Sequence, residues 1–180
     1  MPMKSRGFST IELVIIIILL GILSVVAATQ LGKYYGGIKL ENATMKIASD
    51  IRYAQNRATT TQKRSQVRFL TSTTYDVRYC TSYDATAGIC NCTGTWEPAR
   101  DPSKGGNFQV DLSSDFSGVT IATIVGHCTE FDSLGRPYYN ASCTDVNSCN
   151  SSLGATVTVQ YSGESNKSIV IQTQTGMVSY

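Results

Sequence analysis

The sequence is short of charge. Only 16% of its 180 residues are Asp, Glu, Lys or Arg, against about 25% in an ordinary globular domain. It is shorter still of the groups that do chemistry. One histidine, His127, excludes a multi-histidine metal site. Gly126-His127-Cys128 lacks the two spaced cysteines of a haem attachment signal, and the more ordinary reading of His127 is a loop or edge residue. No Gly-x-Ser-x-Gly elbow, phosphate-cradling loop or His-Glu-x-x-His pair is present. The carboxylates Asp111, Asp115, Asp132 and Asp145 are scattered. Asp145 and Asn147 lack the oxygen-rich loop that a calcium site needs. These absences lead us to expect no enzyme, no metal and no cofactor.

Cysteine is missing from the first third of the chain. All six (Cys80, Cys90, Cys92, Cys128, Cys143 and Cys149) come later. An even number confined to one part of the chain predicts disulfides formed in an oxidising compartment. Cys90-Asn91-Cys92 has neither the spacing of a zinc knuckle nor that of a redox pair. Six cysteines allow 15 pairings. The preferred scheme is a local Cys143–Cys149 bridge, Cys80 joined to Cys90 or Cys92, and the remaining one reaching Cys128.

Net charge is also small, at +2. Lys4 and Arg6 precede a long apolar run, and without residues 1–7 the basic count falls from 15 to 13, equal to the acidic count. Strong nonspecific nucleic-acid binding needs a basic face that this composition does not supply. Ten tyrosines and many Ser, Thr and Asn suit an uncharged surface outside the cell.

The apolar run covers residues 8–28, enough for one bilayer-spanning helix of roughly 20 residues. No proline interrupts it, and its one charge is Glu12. A secretory signal is one reading, with small residues Ala27 and Ala28 near a cut. A plain anchor with Lys4 and Arg6 left in the cytoplasm is another. Neither explains Glu12, since a carboxylate deep in a membrane helix costs on the order of 2.5–3.5 kcal/mol on insertion scales. Near a helix start, the positive end of the helix dipole offsets part of that.

Arg6-Gly7-Phe8-Ser9-Thr10-Ile11-Glu12 resembles the prepilin leader of type IV pilins and type II secretion pseudopilins. The resemblance implies cleavage by a prepilin peptidase between Gly7 and Phe8. It further implies N-methylation of Phe8, and pairing of Glu12 with the Phe8 amine of the same or a neighbouring subunit during assembly.

Beyond residue 28 the pattern turns amphipathic. Leu40, Ile47, Ile51, Ala54 and Ala58 fall on one face of a 3.6-residue helix. Helix is expected to about Thr60, where a run of three threonines weakens it. Gly21, Gly32, Gly36 and Gly37 are expected to soften it. From residue 66 the pattern is β. Strands are expected near 66–71, 74–80, 108–112, 119–124, 128–131, 155–161 and 168–173, with turns at 133–137 and 163–166 and a loop over 138–152. Tyr75, Tyr79 and Tyr83 with Arg68 and Arg78 suggest a nucleic-acid or surface patch. Their alternation suggests more simply a strand face packed on the helix. Lys63, Arg64 and Arg68 are taken as ordinary surface charge.

The stretch Phe131-Asp132-Ser133-Leu134-Gly135-Arg136-Pro137 resembles the motif of GspH/FimT minor pilins and pseudopilins. Residues 47–55 and the closing Ile169-Val170-Ile171 with Thr175-Gly176 match the same family. Residues 79–107 match nothing defensible. Some relatives carry basic residues near this end that contribute to DNA binding, and here Met177 stands in the usual basic position.

The expected protein is therefore α+β, a lollipop. Residues 1–7 form a leader, 8–28 a membrane and filament-core helix, 29–62 a stalk helix and 63–180 a β-rich antiparallel domain. The resemblance implies a minor pilin or pseudopilin in the inner membrane, then in a pilus or pseudopilus, with other pilins and the prepilin peptidase as partners. The runner-up is a pilus-displayed module for DNA or for adhesion.

Overall fold

The computed structural model describes residues 9–83, 92, 94–122, 127–140, 149–150, 155–173 and 175–180, with backbone alone for 28–33, 140, 149 and 150. It is α+β: an N-terminal apolar helix and antiparallel sheet. Helix α1 runs unbroken over Thr10–Thr61. It stops where expected. Thr60 and Thr61 turn their hydroxyls back onto the carbonyls of Asn56 and Arg57 at 2.8 and 2.7 Å, competing with the backbone ladder. Gln62 then leaves the helix in the left-handed region, with φ of 53°.

The β domain is antiparallel, as expected, and divides into two sheets. The larger contains β1 (Ser65–Phe69), β2 (Thr74–Cys80), β3 (Trp96–Pro98), β4 (Gln109–Asp111), β6 (Cys128–Phe131), β7 (Pro137–Asn140) and β8 (Cys149–Asn150). Their order is β3-β2-β1-β6-β7-β8, with β4 also on β2. The smaller contains β5 (Val119–Ile121), β9 (Thr156–Tyr161), β10 (Lys167–Ile171) and β11 (Val178–Ser179), in the order β11-β10-β9-β5. A short helix α2 (Leu112–Asp115) follows β4, with the Asp111 side chain accepting from the Ser113 N–H at its start.

Alternation along the strands decides what faces α1. Val67, Phe69, Tyr75, Val77 and Phe131 of the large sheet are buried with Val157, Val159, Ile169 and Ile171 of the small one. Between them lie Leu40, Ala43, Ile47, Ile51, Ala54 and Ala58 of α1, all buried in one cluster. The alanines leave room for both sheets to approach the helix.

Three expectations fail here. Part of the loop expected over 138–152 is strand, in β7 and β8. Pro137 takes the first position of β7, which tolerates a residue without an N–H. β3 lies in the stretch where no strand was expected. Gly36 has a packing role rather than a softening one: a Cβ there would meet the ring of Tyr161 at 2.6 Å.

Candidate functional site

Two regions hold the residues singled out by the sequence. The first is the start of α1. Over Thr10–Ala27 the helix is long and apolar enough to cross a membrane, and none of that segment is buried within the chain. At 1.5 Å per residue it spans about 27 Å, close to the hydrocarbon thickness of a bilayer. The same length and composition also fit a signal sequence. Ile11 is 70% exposed and Leu23 63%, an apolar surface far larger than a soluble monomer leaves to water. Ser24 satisfies its hydroxyl within the helix by donating to the Leu20 carbonyl at 2.7 Å. Glu12 is the one charge in the segment and lies in the first turn of α1. Gly7 and Phe8 lie outside the described residues.

The second region joins the second half of α1 to the two sheets. Gln55 projects from α1 and donates through Nε2 to the Gly135 carbonyl at 2.9 Å and to the Thr175 carbonyl at 3.0 Å. Gly135 ends the turn between β6 and β7, and Gly176 the turn between β10 and β11. Both adopt positive φ, 78° and 66°. A Cβ on Gly176 would collide with Nε2 of Gln55 and lie 2.5 Å from the Gly135 carbonyl oxygen. Only glycine at 176 lets this turn close on the Gln55 side chain and the Gly135 carbonyl.

Asp132 shapes the β6–β7 turn. Fully buried, its carboxylate accepts from the N–H groups of Leu134 at 3.0 Å and Arg136 at 2.8 Å. It also accepts from Nε of Arg136 at 2.9 Å and the hydroxyl of Tyr138 at 3.1 Å. Phe131 is buried opposite Pro137 in the ladder. Phe131, Asp132, Arg136 and Pro137 thus shape the β6–β7 turn, and Gly135 and Gly176 are the members of the set that lie against Gln55. Residues 47–55 stand out in the sequence as a segment but not Gln55 within it, which makes the long-range hydrogen bonds; its polar side chain beside the buried Ala54 is the available signal.

A second polar clamp lies nearer the middle of α1. Lys46 reaches both carboxylate oxygens of Asp50 at 2.7 Å, and the Tyr75 hydroxyl donates to Asp50 at 2.7 Å. Burial raises the Asp50 carboxyl above the ordinary aspartate value, although the Lys46 and Tyr75 hydrogen bonds pull it down. Burial and the neighbouring Asp50 carboxylate hold the Tyr75 hydroxyl well above the usual tyrosine range.

The tyrosine and arginine patch does not assemble. Tyr75 is buried against α1, and Arg68 and Arg78 belong to the opposite face of β1 and β2. Arg68 pairs with Asp76 at 2.6 Å and Arg78 donates to the Trp96 carbonyl at 2.9 Å. Tyr79 instead lies under the Arg57 guanidinium at 4.3 Å. Arg64 is buried beside Glu130 at 3.8 Å, so the expectation of surface charge fails for it.

Cys80 is bonded to Cys92, one of the two partners expected. Cys128 is buried on β6. Cys90, Cys143, the Cys149 side chain, Asp145 and Asn147 lie outside the described residues. His127 hydrogen-bonds the Tyr139 hydroxyl through Nδ1 at the edge of β6. Among the described residues no group of three His, Cys, Asp or Glu could hold a metal ion. Comparison of the chain with protein-family models, curated proteins and solved structures finds no match.

Proposed function

We propose that this chain is a structural subunit of a filament, a minor type IV pilin or a type II secretion pseudopilin. Prepilin peptidase cuts between Gly7 and Phe8, and Phe8 is N-methylated. The helix holds the subunit in the inner membrane with its β domain exported, a lollipop. It then leaves the lipid to pack against the helices of other subunits, with Glu12 met by the amine of a Phe8.

The observation behind this reading is the division of one continuous helix. Its first 18 residues bury nothing, and its later part is the centre of the β domain's core. A cleaved signal has no reason to continue into the core it leaves behind. A plain anchor has no reason to carry Glu12. A DNA-binding module has less support, because Lys46, Arg68, Arg136 and Lys167 are each paired with a carboxylate of the same domain.

The test is the intact mass of the chain from the producing cell. A chain starting at N-methylated Phe8 is expected. A chain starting near Thr29 would make it a conventional exported protein and end the filament reading. An uncut chain in cells with active peptidase would leave only a plain anchor.

A further inference from the structure

Glu164-Ser165-Asn166-Lys167-Ser168 contains the Asn-x-Ser/Thr acceptor triplet for N-linked glycans. We propose that Asn166 is an N-glycosylation site. Its place in the fold argues for it. Asn166 immediately precedes β10, in the turn after β9, and Asn166, Lys167 and Ser168 are all exposed. The turn itself is held by Gly163 at φ 87° and the Glu164 N–H donating to the Tyr161 carbonyl at 3.1 Å, and Lys167 and Ser168 enter the ladder opposite Val159 and Thr158 with their side chains exposed. A saccharide at Asn166 therefore displaces no core side chain.

The triplet Asn42-Ala43-Thr44 makes the contrast. It lies inside α1, Ala43 and Thr44 are buried, and the Thr44 hydroxyl is spent on the Leu40 carbonyl at 2.7 Å. The triplets beginning at Asn91, Asn140 and Asn150 extend beyond the described residues.

Position relative to the membrane segment supports a donor carried on lipid. Lys167 pairs with Glu41 of α1 at 2.8 Å. Glu41 follows Ala27 by about 20 Å of helix, so the acceptor stands near the bilayer face. In the reaction the Asn166 amide nitrogen attacks the anomeric carbon of a saccharide held on a lipid diphosphate. The carbon–nitrogen bond forms, the carbon–oxygen bond to phosphate breaks, and the amide proton leaves with the released lipid diphosphate. The Ser168 hydroxyl orients the acceptor amide. Glu164 places a carboxylate two residues ahead of it, on the same turn, and so makes the acceptor segment acidic on that side.

The inference rests on the proposed function for export and for the membrane placement of α1. Chymotryptic cleavage after Tyr161 yields residues 162–180, whose one acceptor triplet is at Asn166. Mass spectrometry of that peptide from the producing cell is expected to show an added oligosaccharide. Asn166→Gln and Ser168→Ala should remove it, Ser168→Thr should keep it, and Glu164→Gln should lower occupancy several-fold. Thermal midpoints of all four should match the parent without glycan. An unmodified peptide beside an intact Cys80–Cys92 bridge would overturn the site while leaving export standing. An unmodified peptide beside reduced cysteines would overturn both. A glycan that survives Asn166→Gln on this peptide would also overturn it.

Discussion

Gln55 and Gly135 lie 80 residues apart in sequence and are joined by a 2.9 Å hydrogen bond. That bond, with its companion to Thr175, fastens the stalk to the β6–β7 and β10–β11 turns at one point. Gly176→Ala should be among the most damaging single-methyl additions in the domain. It forces a side chain into the left-handed region, which costs about 1–2 kcal/mol. It also displaces Gln55 from two hydrogen bonds worth about 1 kcal/mol each. Chemical denaturation should show a loss of roughly 2–4 kcal/mol. Gln55→Ala should show about half of that, and an unchanged midpoint in either variant would remove the fastening role.

Asp132 should matter more than the arginine it pairs with. Asp132→Ala strands the Leu134 and Arg136 N–H groups and the Tyr138 hydroxyl, and should cost about 3–5 kcal/mol. Arg136 is 41% exposed at its side chain, so water can replace much of what Arg136→Ala removes, and about 1 kcal/mol is expected. Equal losses in the two variants would mean that the ion pair, rather than the turn, is what Asp132 supports.

The parts of this arrangement that sequence could reveal are the local ones. Leu40, Ile47, Ile51, Ala54 and Ala58 repeat with helical spacing, so the buried face of α1 was visible, as was its end at three threonines. Alternation exposed the β1–β2 hairpin and β9. β3 and β8 were not visible, because two or three residues cannot show a period. The split into two sheets is set by pairings such as Ser65 with Phe131 and Val119 with Tyr161, which have no local signature. Residues 131–137 and Gly176 stood out by resemblance alone. The meeting of Gly135 and Gly176 at the side chain of Gln55 exists only when distant segments come together. Gly36 misled for the same reason, since Tyr161 is 125 positions away.

Asp50 gives a pH-dependent signature. Burial raises its carboxyl in the folded chain above the unfolded value of 3.8, so the folded state holds that proton more tightly. Its contribution to stability is then greatest below pH 3.8 and falls as pH rises through the raised folded value. Asp50→Asn removes this titration and leaves the other carboxylates unchanged. Its unfolding free energy relative to the parent should therefore be less favourable near pH 3.5 than at pH 7. Paired urea titrations at the two pH values measure this, and a pH-independent difference would contradict the raised carboxyl.

The Cys80–Cys92 bridge, with a sequence separation of 12, should stabilise the domain by about 2–4 kcal/mol through loop closure. Cys80→Ser, Cys92→Ser and the double variant should lose nearly the same amount, because each breaks the same bond once. Additive losses would mean that one of the thiols has a separate packing role.

The first part of α1 should be dispensable for folding. No side chain described before Gly36 is buried, whereas Leu40, Ala43 and Ile47 are all in the core. A chain of residues 36–180 keeps those contacts and, among the described residues, loses only exposed side chains. It should be soluble without detergent, and its unfolding free energy should lie within about 1 kcal/mol of the detergent-solubilised full chain, since surface changes away from the core have small effects. The sharper comparison is truncation at residue 48. That removes Leu40, Ala43, Thr44 and Ile47 together, and buried aliphatic side chains are worth about 2–5 kcal/mol each when cut away. The shorter chain should lose its cooperative transition. If residues 36–180 were insoluble or unfolded, the apolar segment would have to contribute to the domain itself, and the division of α1 into a membrane part and a core part would fail.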